Sequence, residues 1–236
     1  MRRLPGDGWL ALLGGGEFSF GETLIADRAW LERAPDGPIG FLPTASGSDD
    51  YGRHLAAYFE ETFGRRMETV PVYRQRDARR AKNLERIDRC AAIYLGGGVS
   101  DELLEVLAES PALERIAAKL GSGGMVVAIA AAAQATGRVA RSLGGGGVIP
   151  ALGWLPDGVV EPNFDPGHDR RLRQLMESPG VARGIGLPAG SALLLGPAGE
   201  AELVGSAFLL DHSEADLQVA SSDDPAPDPT RQPEEN

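Results

Sequence analysis

MVVAIAAAAQATG, residues 125–137, runs from an apolar block straight into alanines. The block MVVAIA (125–130) shows no polar/apolar alternation, so it reads as a strand buried on both faces. Its alanine-rich continuation has high intrinsic helix propensity and reads as a helix over 131–143. A buried strand turning directly into a helix is one step of a parallel α/β sheet.

The same step recurs outward from this stretch. On the N-terminal side, WLALLG (9–14) precedes a helical pattern at 22–33, and IGFLPT (39–44) precedes one at 49–63. A strand at 67–72 leads to a helix at 83–89, and AAIYLGGG (91–98) leads to helices at 101–109 and 111–120. Beyond Gly144 the pattern changes to the short strands GIGL (184–187), ALLL (192–195) and ELVG (202–205), with a helix at 169–177. The expected fold is α/β: a mainly parallel sheet with helices on both faces, plus extra short strands in the C-terminal third. No internal repeat is visible. Residues 1–220 read as one domain. Residues 221–236 hold four prolines and five acids and no aliphatic side chain larger than alanine. Such a segment cannot bury enough apolar surface to offset the entropy of ordering, and a disordered tail is expected.

Composition excludes several function classes. The 236 residues carry a formal charge of −11, which argues against nucleic-acid binding, where a basic patch must neutralise phosphates. No apolar run reaches the ~18 residues of a membrane span, and the N-terminus has no signal-peptide pattern. One cysteine (Cys90) and three scattered histidines (His54, His168, His212) leave little for a disulfide or a metal site. A cytoplasmic protein without metal or cofactor, monomeric or homodimeric, is expected.

Ligands of open α/β sheets sit at the carboxyl ends of the strands, so the turns there carry the chemistry. GGGEFSFG (14–21) has Ser19 where a dinucleotide fingerprint needs its third glycine, and a tight turn is the better reading. YLGGGVSDELL (94–104) offers glycine backbone before a helix, a place for an anion or oxyanion. AIAAAA (128–133) stands where a strand-to-helix elbow would carry G-x-S-x-G.

Taken together with LPTAS (42–46), LGWLPDGVVEPNF (152–164), GIGLPAGSALLL (184–195) and GSAFLLD (205–211), these turns resemble the cyanophycinase and dipeptidase E family of serine peptidases. That resemblance spans roughly residues 8 to 212 and implies a class I glutamine amidotransferase-like fold. It also implies a Ser–His–acid triad at three positions of this chain. The nucleophile of the family's G-T-S-A-G-A falls on Ala130, with Ala128 and Ala132 in place of the flanking glycines. The histidine of D-x-H-F falls on Asn163 in EPNF (161–164), and the acid of G-I-G-x-x-E-G falls on Ala189.

A triad needs an ionisable hydroxyl, a base and a partner that fixes the base's tautomer. Alanine has no attacking atom, and an asparagine amide cannot accept a proton near neutral pH. The expectation is a non-catalytic relative that binds a small anionic or peptide-like ligand, or a partner, at the former active site. Backbone at Gly97, Gly98 and Ala131 would form the surviving oxyanion pocket. The alternative is a hydrolase of aspartyl or isoaspartyl peptide bonds acting through residues the sequence does not locate. His168 is near enough for a displaced base but reads better as an exposed helix-start histidine, and Ser46, Ser100 and Ser191 are hydroxyls near the implied pocket, none of them on a strand-to-helix elbow. Ser100 reads as a helix cap, Ser46 as a cap or turn residue, and Asp211 and His212 as a surface turn. Arg74, Arg76, Arg79 and Arg80 are expected on a solvated face or at the rim. The extra methyls of Ala128 and Ala132 are expected to relax the elbow.

Overall fold

The computed structural model describes residues 3–47, 49–212 and 217–222. The five apolar runs of the N-terminal half form β1 (Trp9–Leu13), β2 (Ile39–Leu42), β3 (Met67–Thr69), β4 (Ala92–Leu95) and β5 (Met125–Ile129). All pair in parallel, in the order β3-β2-β4-β5-β1. Two C-terminal strands, β10 (Ala192–Leu195) and β11 (Ala201–Val204), extend this sheet antiparallel beyond β1 to make seven strands. A second sheet packs β8 (Gly158–Pro162), β9 (Arg183–Leu187), β12 (Ser206–Asp211) and β13 (Gln218–Ser221), with β8 and β9 parallel.

Because strand side chains alternate, each central strand feeds two cores. Ala11, Leu13, Phe41, Tyr94 and Val127 face α1 (Leu24–Arg33) and α2 (Asp49–Phe63), where Trp30 and Phe59 complete an aromatic layer. Leu10, Leu12, Ile93, Leu95 and Val126 face the other side. There they meet α3 (Ala81–Arg89), α4 (Ser100–Leu107), α5 (Pro111–Gly121) and α6 (Ala131–Ala135). Thus the helices following β1 and β2 cover one face, and those following β4 and β5 cover the other. Adjacent strands β1/β5 and β2/β4 therefore send their chains apart, and this divergence opens a crevice at the carboxyl edge. The register pairs Leu13 with Ile129 and Leu42 with Leu95, so these strand ends finish level.

Two expectations fail locally. The helix expected over 131–143 ends at Ala135: Thr136 Oγ1 donates to Ala133 O at 2.7 Å, and the chain reverses at Gly137. It then forms β6 (Val139–Arg141), a hairpin partner of β7 (Val148–Pro150). The strand expected over 67–72 stops at Thr69. The helix expected at 169–177 is α7 (Arg170–Met176), packed under the second sheet. At the expected tail, β13 ends at Ser221 and the Ser222 amide donates to Gly205 O; residues 223–236 lie outside the described residues. Among the described residues, no helix is long and apolar enough to cross a membrane.

Candidate functional site at the strand ends

Five turns converge on the crevice. Gly15 and Gly16 follow β1, Ser46 follows β2, Gly97 follows β4, Ala130 follows β5 and Asn163 follows β8; together with Tyr51 and Ile129 they line a cleft of about 260 Å³. None of these residues carries a charge, and none is a histidine.

Ala130 has φ 51° and ψ −115°, a backbone conformation that disfavours a Cβ. Its amide donates to Leu13 O at 3.0 Å and its carbonyl accepts from Gln134 N at 3.0 Å, so both flanking elements fix the turn. The elbow has not relaxed: Ala128 lies fully buried in β5 and Ala132 fully buried in α6, and the strained angle persists between them. Gly97 makes room for Ala130, since a Cβ there would come within 3.3 Å of the Ala130 methyl.

Asn163 also has positive φ, at 47°. Its amide donates to Gly14 O at 2.7 Å, and its side chain lies across Gly15, where an added Cβ would fall 2.2 Å from Oδ1. Glycine at 15 is thus required by a close approach as well as by its φ of 130°. Ala189 is exposed on the neighbouring turn, which is tied to the β1 turn by Gly190 N donating to Gly15 O at 3.0 Å. It is not among the cleft-lining residues. Gly98 packs against the carbonyl of Ala45, with Gly97 taking the lining position. Ala131 opens α6, whose first amides have no acceptor within the helix.

The other candidates fall elsewhere. His168 is highly exposed and pairs through Nδ1 with Asp165 Oδ2 at 2.7 Å, a contact that holds the Asp165 carboxyl below its ordinary value. It lines a separate hollow beyond Asn163 with Arg170 and Arg171. Arg74 and Arg76 line another hollow with Glu102 and Glu105; Arg79 donates to Glu109 O and Arg80 pairs with Asp77, so this run forms no rim of the cleft. Ser191 Oγ accepts from Ser206 N. The Ser100 hydroxyl caps nothing: it reaches Ala131 O at 3.1 Å and Gln134 Oε1 at 3.3 Å. Asp211 belongs to β12, where it pairs with Arg183.

Tyr51 escaped the sequence reading. Its only signal is an aromatic residue early in a helix that follows a strand-end turn. Burial, with the charges of Glu17 and Asp27, pushes its phenol up to about 12, so it remains protonated at neutral pH and acts as a hydrogen-bonding wall rather than a base. Behind it, Asp27 is fully buried and accepts from Trp30 Nε1 at 3.0 Å and Tyr58 OH at 3.1 Å; burial raises its carboxyl above the ordinary value. Among the described residues, no group of three His, Cys, Asp or Glu side chains could hold a metal ion.

Residues 10–199 match the model of peptidase family S51. The chain belongs to that family. Two solved structures share the S51 chain's fold. A peptidase from an acI-B1 Actinobacterium is 21% identical with a TM-score of 0.74, the match covering 93% of this chain and 97% of that one. A candidate peptidase E protein from Listeria monocytogenes EGD-e is 16% identical with a TM-score of 0.58, covering 83% and 97%. At these identities the likeness shows the fold alone. No curated protein matches the chain.

Proposed function

We propose that this S51 member is a catalytically inactive relative that binds a small anionic or peptide-like ligand, or a partner, in the cleft at Ala130. Its nucleophile, base and acid positions are Ala130, Asn163 and Ala189, none of which can do the chemistry that a serine peptidase requires. The observation that carries the binding reading is the backbone at Ala130. Holding an alanine at φ 51° and ψ −115° costs roughly 1–3 kcal/mol. A loop kept only for folding gains nothing from that strain, whereas a cleft kept for its shape needs it. Backbone at Gly97, which lines the cleft, and at the neighbouring Gly98 and Ala131 is the source of polar groups in this reading for a carbonyl or carboxylate oxygen, and Ser46 and Tyr51 line the cleft with hydroxyls.

The test is a titration of the full chain with N-acetylated dipeptides and small dicarboxylates, followed through the backbone amide resonances of Gly97, Gly98 and Ala131. Saturable shifts at these amides support binding; none with any ligand of either class overturns it. A hydrolase reading has one observation in its favour, the presence of Ser46 in the cleft. Covalent labelling of Ser46 or any other serine by a fluorophosphonate would establish that reading and defeat the non-catalytic one.

A further inference from the structure

Beside the cleft runs a buried polar chain to which the binding reading gives no role, although its Glu161 is the first residue of EPNF (161–164). The Ser100 hydroxyl stands between Ala131 O at 3.1 Å and Gln134 Oε1 at 3.3 Å. Gln134 Nε2 donates to Glu161 Oε2 at 3.0 Å, while its Oε1 also accepts from Arg141 N at 3.2 Å. Arg141 then grips both oxygens of Glu161, Nε to Oε2 at 3.2 Å and Nη2 to Oε1 at 3.0 Å. Ser100, Gln134 and Glu161 are 4%, 3% and 3% exposed.

Three of its four members lie on elements that lead into or out of cleft turns, while Arg141 reaches in from β6. Ser100 opens α4, two residues past Gly98. Gln134 lies in α6, one turn past Ala130. Glu161 lies in β8, two residues before Asn163. The elements that carry the chain also feed the apolar core, through Ala132 and Ala135 of α6 and Val160 of β8, while Glu161 borders the hollow lined by His168, Arg170 and Arg171. Replacing a buried ion pair by well-packed apolar side chains is often neutral or stabilising. Apolar burial is non-directional, however, and the small alanines of the five-residue α6 offer little shape to fix its rotation against two neighbouring turns. Directional hydrogen bonds can.

We propose that Ser100, Gln134, Glu161 and Arg141 are positioning residues of the cleft, holding the Gly97–Gly98 turn, the Ala130 elbow and the Asn163 turn in one fixed mutual arrangement. This inference rests on the reading of the cleft as a binding site, and its test needs no ligand. Two variants of the full chain, Gln134→Leu and Ser100→Ala, are compared with the wild type by amide resonances and hydrogen exchange. In both, the bonded amides of the three turns, Val99 to Ala45 O, Ala130 to Leu13 O and Asn163 to Gly14 O, are expected to shift together and to exchange about tenfold faster or more, while Leu12 and Ile93 in the central strands keep their rates. Ser100→Ala removes one oxygen only, so the test stands even where Gln134→Leu fails to fold. Change confined to residues bonded directly to the altered side chain, or acceleration spread evenly over the sheet, would overturn the proposal. A protein whose amides behave as expected, yet which binds none of the acetylated dipeptides or dicarboxylates, would sink the binding reading and leave the positioning chain standing.

Discussion

Ala130 and Asn163 both line the cleft with positive φ, at 51° and 47°, and the two turns hold that conformation by different means. Asparagine as a residue type tolerates left-handed backbone, and Asn163 stands on an exposed turn whose amide donates to Gly14 O at 2.7 Å. Alanine has no such capacity. Its angle is imposed from outside, by β5 behind, α6 ahead and the amide bond to Leu13 O. Asn163 occupies its angle at little intrinsic cost, whereas Ala130 is held in its angle by the scaffold alone.

Removing the scaffold's polar support should have the largest effect. Glu161→Ala leaves Arg141 unpaired in a mostly buried site and is expected to cost about 3–5 kcal/mol in denaturant unfolding. A loss below about 1 kcal/mol would mean that the carboxylate supports little around the elbow. At the elbow itself, Ala130→Val adds a β-branched side chain at positive φ next to Gly97 and should cost about 2–3 kcal/mol. Ala130→Gly should instead gain about 1 kcal/mol, the strain relieved less the added chain entropy. If glycine is no better than alanine, the angle is not strained and the contrast with Asn163 disappears.

A pH effect separates the aromatic side of the sheet from both turns. Asp27 is buried with its carboxyl raised above the ordinary 3.8, so the native state holds its proton more tightly than the unfolded chain does. Its contribution is complete below the unfolded value and declines as pH rises through the folded one. Urea unfolding across that window should show stability falling in the wild type and a flatter profile in Asp27→Asn; identical profiles would remove Asp27 as the source. The smallest changes belong to the exposed turn: Asn163→Ala should cost about 1 kcal/mol and Asn163→Gly less than about 0.5, both read as shifts in the urea midpoint. A larger loss with glycine would show that the side chain lying across Gly15, and not backbone tolerance, holds this turn.

The sequence made the parallel half of the sheet legible because strands buried on both faces appear as unbroken apolar runs: WLALL, IGFL, AIYL and MVVAI. What it hid followed from the same logic. β8 reads GVVEP, and its Glu161 can be buried only because Arg141 meets it from another strand, a pairing that no local pattern announces. That strand, β6, was itself concealed under the helix expected to continue from the alanines, until Thr136 and Gly137 ended it. Gly97 and Ala130 could be located from turns after buried strands, and Asn163 only through the family resemblance of EPNF. The side chain of Tyr51 and the backbone angles of the cleft could not, because they are set by contacts between segments far apart in sequence.

Strand β1 ends up between β5 and β10, with Leu10 paired to Leu195 on one side and Val126 on the other. During synthesis at ~5–20 residues per second, the interval between these two strands amounts to roughly 10–40 s. Throughout it, the unpaired N–H and C=O edge of the apolar strand β1 that β10 will cover stands open to other chains. The late return of the chain to its own beginning leaves that edge as a site for mispairing until it is covered, and a slow step in refolding should coincide with the capture of residues 192–195.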